Sequence, residues 1–179
     1  ADTYADDPFT IADKGVSGDS TLPNGEAINK VLFDSITNKN TSTVAAADTY
    51  LNEIQITSIS DSSISASNYN ITYAPGDLTI APRAITLTAS DQSKIYGDAL
   101  SLGNTAFTTL DKDGDSVLPN GELVDTVTLV SENGVDASTD SDVGTYADNI
   151  SITPTATGAA TLTGSNGFDQ ENYNISYVT

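Results

Sequence analysis

The stretch "NYNITY" at residues 68–73 decides the fold class that this sequence predicts. Tyr69, Ile71 and Tyr73 alternate with polar residues, and this period of two is typical of a half-buried β-strand. Nearly the same stretch, "NYNISY", returns at residues 172–177. The sequence therefore predicts one such strand in each of two copies of a unit, with the tyrosine rings in the core and their hydroxyls reaching a partner.

The two-copy pattern extends along the chain. Two further stretches occur twice in the same order: "LPNGE" at 22–26 and 118–122, and "TYLNEIQIT" at 49–57, which corresponds to "TYADNISIT" at 145–153. All eight tyrosines fall into corresponding pairs: Tyr4 with Tyr96, Tyr50 with Tyr146, Tyr69 with Tyr173, and Tyr73 with Tyr177. Self-similarity of this kind predicts two structural units in tandem, each with its own core.

The joint between the two copies is predicted at residues 81–83, where a proline and an arginine separate two apolar runs. This divides the chain into unit 1, residues 1–82, and unit 2, residues 83–179. The runs on either side of the joint, "DLTI" at 77–80 and "AITLTA" at 84–89, alternate as strands do. We therefore expect a strand immediately before the joint and another immediately after it.

The fold class predicted from these patterns is all-β. Gly, Asn and Asp punctuate the alternating runs, and no stretch keeps an apolar 3.6-residue spacing over two turns. We expect two tandem antiparallel β units, β-sandwich-like, in an elongated array. The alternative is a β-grasp-like unit with one short helix, because "GEAINKVLF" at 25–33 could form a helical turn, although its counterpart "GELVDTVTLV" alternates like a strand.

Composition excludes several classes of function. The chain has 25 acidic and 6 basic residues, a net charge of -19 at pH 7, which would repel nucleic acids and anionic membranes. Cysteine and histidine are absent, which excludes disulfides, zinc sites of the Cys/His kind and proton transfer by histidine. We expect no nucleic-acid partner, no membrane insertion and no enzymatic activity.

Four short motifs follow one another in a recognisable order. They are "KIYGD" at 94–98, "VGTY" at 143–146, "NYNI" at 172–175 and "GDLTI" at 76–80, which closes the first copy. This order resembles the MBG repeat ("mostly beta, glycine-rich"), a domain found in tandem in large bacterial surface and secreted adhesins. The first copy departs from it at Ala5 and Asp48, which stand where the motif has glycine.

The resemblance implies a spacer. Tandem units of this family form a stalk that holds a binding tip away from the cell, outside the bacterium and without enzymatic activity. We expect a monomer whose partners are neighbouring repeats of the same chain, with any host or matrix ligand bound through other parts of the protein. The family order also places the first strand of unit 1 ahead of residue 1 and the last strand of unit 2 beyond residue 179.

One stretch predicts a metal site. "DKDGDSVLPNGE" at 111–122 has acids at its first, third, fifth and twelfth positions, like the calcium loop of an EF-hand. Ser116 stands where that loop has glycine, so we predict a calcium-binding turn in a β setting instead of an EF-hand. The predicted ligands are Asp111, Asp113, Asp115, the Val117 carbonyl and Glu122. The alternative is that these residues only make hydrogen-bonded turns.

Two other features of unit 2 have alternative interpretations. The acidic run "DASTDSD" at 136–142 is either a further cation site or a solvated loop. Lys94 is either one partner of a Lys–Asn isopeptide crosslink or an exposed lysine on an edge strand. If the turns at 111–122 and 136–142 both face a ligand, the chain is instead a calcium-dependent carbohydrate- or protein-binding module of an adhesin.

Overall fold

The computed structural model describes residues 22–153 and 162–179. The chain divides into two compact units after Ile80, so the joint predicted at residues 81–83 falls at the start of the second unit. In the described residues, regular structure consists of ten strands and four short 3-10 turns. The prediction of an all-β fold is confirmed.

Unit 1 contains one three-stranded antiparallel sheet. Its strands are β1 (Ile28–Ser35), β2 (Asp48–Ser62) and β3 (Gly76–Ile80), in the order β1-β2-β3. A 3-10 turn at Pro23–Gly25 precedes β1, and a second one, Ala66–Asn68, follows β2. The stretch at 25–33 therefore enters a strand instead of forming the short helix of the β-grasp-like alternative.

Unit 2 contains three small sheets. Its strands are β4 (Arg83–Ala89), β5 (Phe107–Asp111), β6 (Leu123–Thr126), β7 (Leu129–Ser131), β8 (Ile150–Ile152), β9 (Thr163–Ser165) and β10 (Tyr173–Val178). The sheets have the orders β10-β4-β5, β6-β9 and β7-β8. Every strand pair of the described residues is antiparallel, as predicted, except that β10 runs parallel to β4.

The core of unit 2 lies between β4 and the β7-β8 sheet. Leu87 on β4 is fully buried and packs with Leu129 on β7 and Ile152 on β8. Ile175 and Tyr177 of β10 pack against the same cluster, so the β10-β4-β5 sheet covers β7 and β8. The alternation in "AITLTA" predicts that Ile85, Leu87 and Ala89 face inward, and Ile85 and Leu87 are buried while Ala89 is partly buried.

The two "NYNI" stretches have different structures. Residues 172–177 enter β10, and the predicted alternation is confirmed there by the burial of alternate residues from Tyr173 onwards. The strand predicted at 68–73 is wrong, because residues 69–75 lie outside any strand. In unit 2 this stretch pairs with β4, which lies far from it in the sequence, so forming the strand depends on a distant segment that the local alternation does not specify.

Left-handed backbone recurs at corresponding positions of the two units. The matched pairs are Asn24 (φ 61°) with Asn120 (φ 60°), Asn38 (φ 58°) with Gly134 (φ 65°), and Asn52 (φ 57°) with Asp148 (φ 52°). Asn, Asp and Gly are the residues that adopt this conformation most readily. The repeat seen in the sequence is therefore also a repeat of backbone geometry at the turns.

Gly164 on β9 supplies a test of the packing in unit 2. A Cβ atom there would lie 2.4 Å from the Leu123 carbonyl oxygen and 2.4 Å from the Phe168 ring. We expect Gly164→Ala to lower the free energy of unfolding of unit 2 by about 1–3 kcal/mol, because backbone or ring must shift. Urea denaturation measures this loss.

Gly144→Ala is the matched control for this substitution. An added Cβ at Gly144 would meet no atom within 4 Å, so its unfolding midpoint should stay close to that of the native chain. Equal losses for the two variants would contradict the close approach of β9 to Leu123 and Phe168.

Candidate functional site

The first candidate site is the loop at 111–122, where Asp111 forms an ion pair with Arg83. Antiparallel pairing of β4 with β5 brings the end of β5 beside the start of β4, since Ile85 lies opposite Asp111. The guanidinium Nη2 of Arg83 donates to Asp111 Oδ2 and, at 2.9 Å, to Asp113 Oδ2. The side chain of Asp111 is only 2% exposed, so this contact is shielded from water.

Asp111 also organises the turn that follows it. Its Oδ1 accepts hydrogen bonds from the backbone N–H groups of Asp113, at 2.8 Å, and Asp115, at 3.0 Å. The Arg83 guanidinium, together with these N–H groups, lowers the pKa of Asp111 to about 2, and the same contact raises the pKa of Arg83. Both oxygens of this carboxylate therefore already have partners.

Two other predicted calcium ligands, Glu122 and Val117, make no hydrogen bond with Arg83. Glu122 Oε2 accepts a hydrogen bond from the Tyr173 hydroxyl at 2.6 Å, and the side chain of Val117 is exposed. Within residues 22–153 and 162–179, no three acidic side chains form a group that could hold a metal ion. The structure thus brings Asp111 and Asp113 together around Arg83. Calcium binding stays a prediction of the loop sequence.

The acidic run at 136–142 is held by the ammonium group of Lys94. Lys94 Nζ donates to the backbone carbonyls of Val135 and Ser138 and lies 3.4 Å from that of Asp136. Lys94 is half-buried and lies outside any strand, so the interpretation as an exposed edge lysine is wrong. The contacts of Nζ are to backbone carbonyls instead of the asparagine side chain that an isopeptide crosslink needs.

Within the same run, Ser138 and Asp140 contact each other directly. The Ser138 hydroxyl donates to Asp140 Oδ1 at 2.5 Å, and this hydrogen bond lowers the pKa of Asp140. The backbone of the loop is thus held by a lysine, and one of its acids by a neighbouring hydroxyl. Whether the run also binds a cation stays a prediction.

A hydrogen bond from tyrosine to glutamate occurs at the same position in each unit. The Tyr69 hydroxyl donates to Glu26 Oε2, and the Tyr173 hydroxyl donates to Glu122 Oε2. Each glutamate directly follows a "PNG" turn, to which its backbone N–H bonds at 3.1 Å. Burial and the neighbouring Glu122 raise the pKa of Tyr173. The prediction that these hydroxyls reach a partner is confirmed for both residues.

A second repeated polar cluster was missed by the sequence reasoning. In unit 1, Ser35 Oγ and the N–H of Thr37 donate to Glu53 Oε1, the latter at 2.8 Å, and the Ser35 hydrogen bond lowers the pKa of Glu53. Glu53 is buried, although it is charged. These contacts join the turn after β1 to the middle of β2.

The corresponding cluster of unit 2 uses an amide in place of the carboxylate. Asn149 Nδ2 donates to Ser131 Oγ at 2.7 Å, and Asn149 Oδ1 accepts from Asn133 Nδ2 at 3.0 Å. One signal of this cluster was available in the sequence. Both copies carry a hydrogen-bonding side chain just before the first isoleucine of the strand, at Glu53 and Asn149.

An open groove in unit 2 lies beside the loop at 111–122. It has a volume of about 420 Å³ and is bordered by β5 and β6. Phe107, Leu110, Leu118 and Leu123 supply its apolar lining, and Glu122 is among its polar residues. The volume is in the range of small-molecule pockets, which most often combine apolar walls with a few polar groups.

No family model matches this chain, and neither a curated protein nor a solved structure gives a match. In the part of the chain that the structure describes, no helix is long and apolar enough to cross a membrane.

The ion pair of Asp111 predicts a loss of stability in acid. The folded pKa, about 2, lies below the ordinary aspartate value of 3.8, so the contribution of this carboxylate is complete above about pH 4. It is lost as the pH falls through 2. We expect the native chain to lose more stability between pH 4 and pH 2 than Asp111→Asn, as measured by urea denaturation across this range.

The control for this comparison is Asp91→Asn, which removes one exposed carboxylate. Between pH 4 and pH 2, the free energy of unfolding of Asp91→Asn should fall by as much as that of the native chain. If the free energy of unfolding of Asp111→Asn fell by the same amount as that of the native chain, the ion pair with Arg83 would not contribute to stability.

Thermal unfolding with calcium and with a chelator, at constant ionic strength, tests the predicted metal site. The loop sequence predicts that calcium raises one transition of the native chain and that Asp113→Ala abolishes the rise, because a bound ion stabilises the folded state. Asp91→Ala is the matched control and should keep the rise. Coincident curves for the native chain would mean that the loop is an acidic turn held by Arg83.

Proposed function

We propose that the chain is a tandem pair of structural spacer units from a bacterial cell-surface or secreted adhesin. In this role each unit contributes length, and binding to a host or matrix ligand belongs to other parts of the protein. The units act as monomeric repeats whose partners are neighbouring repeats, and they have no enzymatic activity. The resemblance to MBG repeats suggests this role.

One observation carries the proposal: the same stabilising contacts recur in both units. The glutamate–tyrosine bond, the polar cluster around Glu53 or Asn149, and the left-handed turns occur at corresponding positions. Repeats that keep the same internal contacts are stabilised in the same way, and each contributes its own stability to a tandem array, as in other repeat proteins.

The use of the buried polar groups also supports a structural role. Glu53 and Asp111 are buried carboxylates, and each accepts several hydrogen bonds from its own unit. Their lowered pKa values keep them charged at neutral pH, so they act as fixed acceptors that hold turns. Such groups are suited to fixing the geometry of a module.

The second candidate is a calcium-dependent carbohydrate- or protein-binding module. The observation in its favour is the groove beside the loop at 111–122, whose volume would accommodate a small ligand. Calcium-dependent binding of the chain to a glycan array, lost on Leu123→Arg in the groove, would support this candidate. Leu51→Arg is the control, because Leu51 is an exposed residue of unit 1.

The spacer proposal is tested by joining the chain end to end. We expect the maximum dimension of proteins with one, two and three copies, measured by small-angle X-ray scattering, to increase by a constant step per copy. The thermal transition of each copy should stay where it is in the single chain, because repeats of this kind are stabilised locally. A dimension that levels off with copy number would contradict a spacer.

A further inference from the structure

In unit 1, the beginning of β2 is covered by β3. The paired residues are Asp48 with Ile80, Thr49 with Thr79, and Tyr50 with Leu78. After these pairs, the backbone N–H of Asn52 donates to Asp77 Oδ1 at 2.7 Å. The ladder is thus interrupted at a left-handed residue whose N–H is bound by a side chain of β3, and it resumes where Ile54 pairs with Gly76.

In unit 2, no strand of the described residues pairs with the counterpart of this edge. Gly144, Thr145 and Tyr146 correspond to Asp48, Thr49 and Tyr50, and none of the three lies in a strand. Tyr146 is 43% exposed, whereas Tyr50 is half-buried beneath its partner strand.

The geometry of this edge is nevertheless the same as in unit 1. The Tyr146 hydroxyl donates to the Asp142 carbonyl at 2.7 Å, just as the Tyr50 hydroxyl donates to the Ala46 carbonyl at 2.9 Å. Two residues on, Asp148 has the left-handed conformation of its counterpart Asn52. The edge is therefore preformed in the absence of the strand that covers it in unit 1.

The strand that continues from this edge is also placed alike in the two units. Ile150 on β8 pairs with Ser131, as Ile54 on β2 pairs with Ser35. In unit 1, Ile54 pairs on its other side with Gly76, the first residue of β3. The side of Ile150 that faces away from β7 is the corresponding position for an added strand.

We propose that residues 144–148 form a strand-addition edge that binds an extended segment of the sequence Gly-Asp-Leu-Thr-Ile, antiparallel and in the register of β3. Main-chain hydrogen bonds supply affinity, as in other cases of β-strand addition. The leucine packs on Tyr146, the threonine lies opposite Thr145, and the aspartate accepts a hydrogen bond from the N–H of Asp148. The proposal concerns unit 2 as a folded unit and does not depend on the spacer role.

The charges along this edge differ from those of unit 1 at two positions, because Gly144 replaces Asp48 and Asp148 replaces Asn52. Asp148 stands where unit 1 has the neutral Asn52, so its carboxylate would repel the aspartate of the added strand. Salt should weaken this repulsion, because exposed charges are screened within about 10 Å at 0.1 M ionic strength. Addition of the strand should therefore stabilise unit 2 more at high salt, and more still in Asp148→Asn.

The test appends the five residues Gly-Asp-Leu-Thr-Ile directly after Thr179 of the full chain. Because Tyr177 corresponds to Tyr73, this places the appended glycine where Gly76 stands in unit 1. We expect the unfolding midpoint of unit 2 to rise by roughly 4 °C or more. Hydrogen exchange followed by NMR should slow at the amides of residues 144–148. A tail with the same residues in scrambled order is the matched control.

A second tail, with alanine in place of the appended aspartate, tests the side-chain contact. It should keep part of the rise in midpoint but leave exchange at the Asp148 amide fast. An unchanged midpoint with the native-order tail, or an equal rise with the scrambled tail, would overturn the proposal. A rise that depends on protein concentration would support it, since the tail of one molecule would then occupy the edge of another.

Discussion

The parallel pairing of β4 with β10 is the constraint on which unit 2 depends. It places Ile85 and Leu87, the two most completely buried large side chains, opposite Ile175 and Tyr177. Parallel strands cannot be joined by a tight hairpin, so the whole chain between them serves as the crossover. The strands of that crossover pack over the pair, and β8 in particular packs on β4 and β10. In unit 1 the corresponding residues, 69–75, lie outside the strands of the described residues, and Tyr73 is exposed.

The scarcity of basic residues explains how the loops of unit 2 are built. A net charge of -19 destabilises any compact arrangement of the chain by self-repulsion. Arg83 and Lys94 each contact more than one oxygen atom, and they do so at the two most acidic loops, 111–122 and 136–142. Arg83 reaches two carboxylates from another strand, whereas Lys94 binds carbonyls within the backbone of its loop. At 111–122, Lys112 adds a local ion pair with Asp113 at 2.7 Å, so two cations contact the carboxylates of that loop.

The alternating pattern correctly predicted the strands that have a partner strand in the structure. It did not predict features that depend on residues far away in the sequence. The runs at 77–80, 84–89 and 172–177 enter strands as expected, and their alternate apolar residues are buried or half-buried. The stretch at 68–73 has the same alternation but no strand, since a period of two fixes faces and does not provide a neighbour. The parallel direction of β10 could not be predicted from the sequence pattern either, because parallel and antiparallel strands have the same side-chain period of two.

The candidate site illustrates the same limit at the level of single residues. Spacing within 111–122 correctly identified Asp111 and Asp113 as neighbours in space. It could not identify Arg83, which lies on another strand and reaches both carboxylates only through the pairing of β4 with β5. For Tyr69 and Tyr173 the need for a partner was predictable from ring burial, but the identity of the glutamates depended on where each "PNG" turn folds back.

The same alternating sequence therefore forms a strand in one unit and not in the other, because a strand needs a neighbouring segment to pair with. β3, the last strand of unit 1, pairs with β2, and β4, the first strand of unit 2, pairs with β5 and β10. Only Ala81 and Pro82 separate these two strands. A cut in this short stretch lies between the two sheets, whereas a cut a few residues to either side would remove β3, an edge strand of one sheet, or β4, the central strand of the other.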